Sequence, residues 1–301
     1  MLYVLTEISI IFKMVSPVAE FSPLRWLRFM SVEPAMFLSM VACTMLDFGN
    51  VNIYLQKACR TNTTTKPDFS ISYDDNKEKG IIFVANVNTY IRSATMFLVL
   101  LSVALYASWS DKAGGKHKFF LMITLVGQVL ESILLFLHSY YWSLPPMFAA
   151  ITAAVVHVLF GHPHSSMSAF GFMYLCEVVD LQSRTMRLGI FTSVKVLGML
   201  VGKGTSGFLL HYIGFCRYYA VCLGISLAAV IYGYFFINDI SIPQENKVSL
   251  RSVFNVRHLI ESFEIIFGKR MQHGIYTIIL ILTFTLLLFI HEGNEILYFK
   301  I

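Results

Sequence analysis

Charged and polar side chains recur at helical spacing inside segments that are otherwise apolar. Asp47 and Asn50 share one helical face with Cys43 and Tyr54, because spacings of three and four residues place side chains on the same side of a helix. The next apolar segment carries Arg92, a strong base in an apolar setting. We predict an ion pair between Asp47 and Arg92, which would lower the cost of burying either charge. The alternative is that Arg92 extends to polar surroundings at the end of its helix.

Titratable groups in two further segments have the chemistry of a proton relay. Glu131 lies in a polar stripe of its helix, and His157 and His164 are seven residues apart on one helical face around Pro163. Imidazole titrates near neutral pH, and buried histidines and carboxylates form proton pathways in transporters. Simple interhelical hydrogen bonds are the alternative. We predict no metal and no cofactor, because the histidines lack i, i+4 spacing and have no thiolate or carboxylate near them in sequence.

Two lysines in one apolar segment indicate attraction of an anion. Lys195 and Lys203 are eight residues apart, which places them about 80° apart around a helix, so they can line one wide aqueous cavity. Gly198 and Gly202 have the small-xxx-small spacing that allows close helix approach. No nucleophile elbow, P-loop, dinucleotide fingerprint or HExxH sequence is present, so the sequence does not indicate an enzyme.

The composition indicates that these residues lie on helices that span a membrane. Of the 301 residues, 56% are hydrophobic and 14% are charged, whereas soluble domains carry roughly 25% charge. The net charge of +5 does not indicate nucleic acid, because the basic residues lie in short loops and form no single basic face. We predict an all-α polytopic membrane protein in the lipid bilayer. Seven segments have the ~20 apolar residues of a membrane span: 34–56, 81–109, 119–138, 146–176, 189–213, 218–237 and 275–290.

Lysine and arginine in the connections predict the orientation. Their excess lies on the side of the N-terminal tail, which we therefore expect to be cytoplasmic. The sequon at Asn62 falls in the first outer connection and predicts a glycosylation site there. The predicted organisation is a cytoplasmic tail (1–33), a six-helix transmembrane bundle (34–237), a cytoplasmic linker (238–274), a seventh transmembrane helix (275–290) and a C-terminal tail (291–301).

The connection after the second span resembles a known loop signature. Residues 107–118 read ASWSDKAGGKHK, which is similar to the Gly-x-x-x-Asp-Arg/Lys-x-Gly-Arg-Arg/Lys pattern of the major facilitator superfamily. Ala107 and Gly115 depart from the pattern, and four residues match it: Asp111, Lys112, Gly114 and Lys116. The resemblance implies the fold of that superfamily's N-terminal six-helix bundle, followed here by one further helix.

Two elements narrow the resemblance to the proton-coupled folate transporter-like family, solute carrier family 46. These are Trp109-Ser110-Asp111 and the Arg184-Thr-Met-Arg187 element of a later loop. The resemblance implies a proton-coupled secondary transporter of an organic anion, folate-like or related, that works by alternating access in the plasma or lysosomal membrane. Asp111 would pair with Arg184 or Arg187 and favour one access state. The alternative is that these are ordinary solvated loop charges.

The resemblance also leaves a second function class open. The family has twelve spans in two halves with the substrate site between them, and seven spans are predicted here, so the alternative is a truncated, transport-inactive membrane protein. A metal-dependent intramembrane enzyme would rest on the span-four histidines alone. The expected partners are a small organic anion, protons and lipid, with the oligomeric state left open. The predicted substrate and proton pathway comprises Asp47, Asn50, Arg92, Glu131, His157, His164, Lys195 and Lys203.

Overall fold

The computed structural model describes residues 32–59, 82, 84–112, 117–238 and 283, and the regular elements within these ranges are all helices. Apart from Thr283, the predicted seventh span lies outside the described residues, as do the two tails before residue 32 and after residue 290, the linker from residue 239 and Asn62. The described helices are α1 (Glu33–Cys59), α2 (Ser93–Lys112), α3 (His117–Tyr140), α4 (Pro146–Phe160), α5 (Ser168–Val178) and α6 (Leu181–Phe236), with π-helical turns at Asn88–Arg92 and Pro163–Met167.

The fold class is confirmed as an all-α polytopic membrane protein. Within the described ranges, five helical stretches are long and apolar enough to cross a membrane: Glu33–Ala58, Val84–Ala107, His117–Tyr140, Pro146–Val178 and Leu181–Phe236. The last has 56 residues, or roughly 84 Å at 1.5 Å per residue, far more than a ~30 Å hydrocarbon layer needs. It is divided at Gly214, whose φ of 74° is not helical. This break lies in the predicted gap between the fifth and sixth spans.

Helix α1 lies at the centre of the packing and makes its most extensive contacts with α6. Two glycines of α6 allow the helices to approach closely. A Cβ on Gly198 would lie 2.8 Å from the carbonyl oxygen of Phe37, and one on Gly202 would lie 2.7 Å from that of Val41. Any side chain at these positions would therefore push the helices apart, which confirms the predicted role of the pair.

Two apolar clusters fill the bundle, one toward each end of α1. The cluster at the start of α1, which we call the Glu33 end, includes Met36, Trp109, Phe120 and Phe170. The cluster toward the other end includes Ile53, Leu135, Tyr218 and Tyr219. Hydrogen bonds between polar side chains lie in the region between the two clusters. Ser39 donates to Gln128 Oε1 at 2.8 Å, Gln128 Nε2 donates to the Ser39 carbonyl at 2.7 Å, and the Ser132 and Ser226 hydroxyls are 3.2 Å apart.

The predicted fourth span is interrupted next to Pro163. Helix α4 ends at Phe160, and Gly161 has a φ of 85°, in the region that favours glycine. His162 is extended, and the chain then resumes helical form through the π-helical turn Pro163–Met167. The kink expected from the proline is therefore a break, and it changes which histidines share a surface.

Candidate functional site

Polar side chains from α1, the start of α2 and the α4–α5 break line a small cavity. Its volume is about 70 Å³, and it is open on one side. This holds a few water molecules or an ion, and it is far smaller than the roughly 300–1,000 Å³ of small-molecule sites. This cavity is therefore too small to enclose a drug-sized molecule. The polar and charged lining residues are Asp47, Asn50, Tyr54, Arg92, Thr95, His157 and His162.

The predicted pair between Asp47 and Arg92 is present at this cavity. Arg92 Nη2 lies 3.8 Å from Asp47 Oδ1, and about a third of each side chain is exposed (29% and 32%). Arg92 is the last residue of the π-helical turn that precedes α2, and such turns occur frequently at functional sites. The pair is long and partly open, so its partners can be exchanged without moving a charge into a fully apolar environment.

A second ion pair lies deeper in the same wall. Glu131 Oε2 is 3.0 Å from His157 Nε2, with 4% of the glutamate side chain and 13% of the histidine side chain exposed. Helix α3 supplies the carboxylate and α4 the imidazole. Both residues were predicted as pathway residues, but their direct contact was not, because several titratable groups in these spans were possible partners and spacing within one helix does not select among them.

The α4–α5 break brings His162 into the cavity in place of His164. His162 is 4% exposed, and its ring meets that of His157 edge to face, with centroids 4.6 Å apart. His164 follows Pro163 and is absent from the cavity lining, so the prediction that His157 and His164 share one face is wrong. The prediction assumed an unbroken helix from 146 to 176, whereas the extended backbone at His162 resets the register.

The remaining predicted pathway residues divide between the cavity and the α6 surface. Asn50 is buried in the lining, and its Oδ1 has no hydrogen-bond partner among the described residues. Lys195 is half-buried and close enough to Cys43 to interact with it electrostatically. Lys203 is exposed on α6. Neither lysine lines this cavity, and the wide lysine-lined space expected from their spacing stays a prediction.

The Glu33 end contains a buried ion pair that the sequence did not reveal. Arg187 Nη2 lies 2.9 Å from Glu33 Oε1, and the two side chains are only 5% and 1% exposed. Arg184 instead donates from Nη2 to the carbonyl of Cys176 at 2.7 Å, at the end of α5. The side chains of Asp111 and Lys112, and residues 113–116 with Gly114 and Lys116, lie outside the described residues. The predicted pairing of Asp111 with these arginines therefore stays a prediction.

A hydrogen-bonded chain joins three helices at the same end. The Ser110 hydroxyl is 3.0 Å from His117 Nδ1, and His117 Nε2 is 3.1 Å from Glu177 Oε1. Ser110 and His117 are buried, whereas 37% of the Glu177 side chain is exposed. This chain connects the end of α2, the start of α3 and the end of α5, and no periodic pattern in the sequence indicated it.

A comparison with protein families identifies a match for almost the whole chain. The model of the Major Facilitator Superfamily matches residues 35–299, a range that includes all of the cavity and most of the Glu33 end. Members of that family are secondary transporters of small solutes and are not enzymes. The match supports an integral membrane protein with a small-molecule partner.

Proposed function

The chain belongs to the Major Facilitator Superfamily, and we propose that it carries an organic anion across a membrane together with protons, by alternating access. The observation that carries the proposal is the Asp47–Arg92 pair at the open cavity. The sequence resemblance to solute carrier family 46 favours a folate-like or related anion. It also favours the plasma or lysosomal membrane as the location.

Arg92 is the residue that we assign to the anion. The N–H donors of its guanidinium lie at the cavity, with Nη2 3.8 Å from Asp47 Oδ1 and 29% of the side chain exposed. A carboxylate of the substrate can accept from these donors in a bidentate arrangement, which is the strong form of this interaction. Because the cavity holds only about 70 Å³, the body of the anion would lie against its open side.

Glu131 is the residue that we assign to the proton. Its carboxylate lies 3.0 Å from His157 and is almost fully buried, so its charge is stabilised largely by that one partner. A proton on Glu131 neutralises the carboxylate and ends the ion pair. Loss of the pair removes a restraint between α3 and α4, and a few kcal/mol are sufficient to shift a two-state protein. Proton binding and the change of access state are coupled in this way.

Uptake of a labelled folate by cells that express the full chain tests the proposed transport and the assignment of the proton to Glu131. We expect faster uptake at about pH 5 than at about pH 8, because this range spans the ordinary pKa of a histidine side chain. Glu131→Gln, corrected for surface expression, should remove most of this pH dependence, because a neutral amide cannot take up the proton. Glu177→Gln is the matched control. It removes a carboxylate that contacts His117, a histidine outside the cavity lining, and the pH dependence should therefore remain.

The same experiment decides between this proposal and a transport-inactive member of the family. Uptake no greater than in untransfected cells, at a surface expression equal to that of an active relative, would contradict the proposed transport. Uptake with equal rates at both pH values would keep transport and contradict proton coupling. A pH dependence that persists in Glu131→Gln would contradict the assignment of the proton to that residue.

A further inference from the structure

A thiol, a carboxylate and an imidazole meet where α1 passes the α4–α5 break. The ligand atoms of Cys43, Asp47 and His162 all lie within 4.8 Å of one another. Cys43 and His162 are each 4% exposed, and Asp47 lies at the edge of the cavity. We propose that these three residues bind a thiophilic divalent transition metal ion such as Zn²⁺.

The ligand types match such an ion. Zn²⁺ is bound in proteins by thiolate, imidazole and carboxylate, in tetrahedral geometry. Bond lengths of ~2.0–2.3 Å place tetrahedral ligand atoms roughly 3.3–3.8 Å apart, so small side-chain rotations would close the present separations. Three protein ligands leave a fourth position for water or an anion, and the open side of the cavity gives access to it.

His162 supplies an independent indication of a ligand. Its Nδ1 is buried and has no hydrogen-bond partner among the residues that the structure describes. A buried polar atom without a partner is unfavourable, and most such atoms in proteins are satisfied by protein, water or an ion. A metal ion bound to His162 would satisfy this nitrogen, and the neighbouring Cys43 thiol is a second ligand of the same kind of ion.

The two oxygens of Asp47 allow the metal and Arg92 to be bound together. Oδ1 faces Arg92 at 3.8 Å, whereas Oδ2 faces the Cys43 sulfur at 3.9 Å. Metal binding would break the S–H bond of Cys43, form a sulfur–metal bond and release the thiol proton to solvent. The thiolate and carboxylate then supply two negative charges that balance the divalent ion, which offsets the repulsion from Arg92 and Lys195 nearby.

The sequence did not indicate a metal site, because the span-four histidines lack i, i+4 spacing and have no thiolate or carboxylate near them in sequence. The structure supplies the missing ligands from a different helix. Cys43 and Asp47 are one turn apart on α1, and His162 reaches them because the chain breaks at Gly161. Neither the proposed anion nor the proposed proton coupling is needed for this site, so binding is measured without transport.

Cobalt(II) titration of the full chain, purified in detergent, tests the site, because tetrahedral Co²⁺ replaces Zn²⁺ and reports its ligands by absorption. We expect one equivalent of Co²⁺ to give visible d–d bands together with a sulfur-to-cobalt charge-transfer band in the near ultraviolet. One equivalent of Zn²⁺ should abolish both. Titration without a charge-transfer band, or without competition by Zn²⁺, would overturn the proposal.

Two variants assign the bands to this site. Cys43→Ser should remove the charge-transfer band, whereas Cys222→Ser, which changes another buried cysteine, on α6, should keep it. His162→Asn should weaken Co²⁺ affinity at least about tenfold while the sulfur ligand remains. If Cys43→Ser does not fold, the His162→Asn titration decides alone. A charge-transfer band that persists in Cys43→Ser, or an unchanged affinity in His162→Asn, would contradict the assignment.

Discussion

The Glu33 end and the cavity each contain one pair of arginine and carboxylate, and the two pairs are built differently. The Glu33–Arg187 atoms are 2.9 Å apart, and the side chains are 1% and 5% exposed. The Asp47–Arg92 atoms are 3.8 Å apart, and about a third of each side chain is exposed. One pair is short and dry, whereas the other is long and open to the cavity.

The difference in burial determines which of the two ion pairs can separate. Separating Glu33 from Arg187 leaves two charges in an apolar environment, so this pair fixes α1 to the start of α6. Separating Asp47 from Arg92 costs much less because both side chains are partly exposed at the cavity. We infer that the first pair holds the fold together and that the second is available for transport.

Removing one partner of the buried pair should have the largest effect on stability. Glu33→Gln leaves the Arg187 guanidinium buried without its carboxylate, and we expect a loss of about 3–5 kcal/mol in the free energy of unfolding. Thermal unfolding of the detergent-purified chain measures this as a lower Tm. The double variant Glu33→Gln with Arg187→Met removes the buried guanidinium as well and should recover most of the loss. A Tm within the error of the unchanged chain for Glu33→Gln alone would mean that the pair is not desolvated.

The Ser110–His117–Glu177 chain separates the effect of burial from that of location, because it lies at the same end as the buried pair. Glu177 is more than one-third exposed, so water can replace its contact with His117. We expect Glu177→Gln to cost about 0.5–1.5 kcal/mol, the usual net value of one hydrogen bond. A loss as large as that of Glu33→Gln in the same unfolding assay would show that location at this end, and not burial, determines the cost.

Changing the open pair should have the smallest effect on stability. Asp47→Asn keeps the size of the side chain and removes one partly exposed ion pair, so we expect a change of about 0–1 kcal/mol in the free energy of unfolding. The measurement is again Tm, with Asn52→Asp, the reverse exchange at a position about 140° around α1 from Asp47, as a control. A loss of several kcal/mol in Asp47→Asn would remove the distinction between the two pairs.

The sequence predicted contacts that follow from residue type, namely opposite charges in apolar segments and small residues at helical spacing. Asp47 and Arg92 meet as expected, the glycines at 198 and 202 allow α6 to approach α1, and the fold class is confirmed. The sequence did not predict pairs between distant helices, such as Glu33 with Arg187 or Glu131 with His157, because their register depends on the packing of the whole bundle.

The histidines show a different reason for failure. Pro163 correctly indicated a kink, but the outcome depends on Gly161, which adopts a positive φ and ends the helix before the proline. His162 then contacts His157, while His164 moves out of the lining. A proline alone does not distinguish a bent helix from a broken one, so the choice between the two histidines required the structure.

The most direct test of the division between the two pairs is uptake of labelled folate per surface-expressed molecule, measured side by side in Asp47→Asn and Glu33→Gln. We predict that Asp47→Asn reaches the surface in near-normal amounts but loses most of its uptake per molecule, because Asp47 positions the Arg92 guanidinium that binds the anion. We predict that Glu33→Gln is scarce at the surface, while the molecules that arrive there retain their uptake. Normal uptake per molecule in Asp47→Asn, together with its loss in Glu33→Gln, would contradict the account.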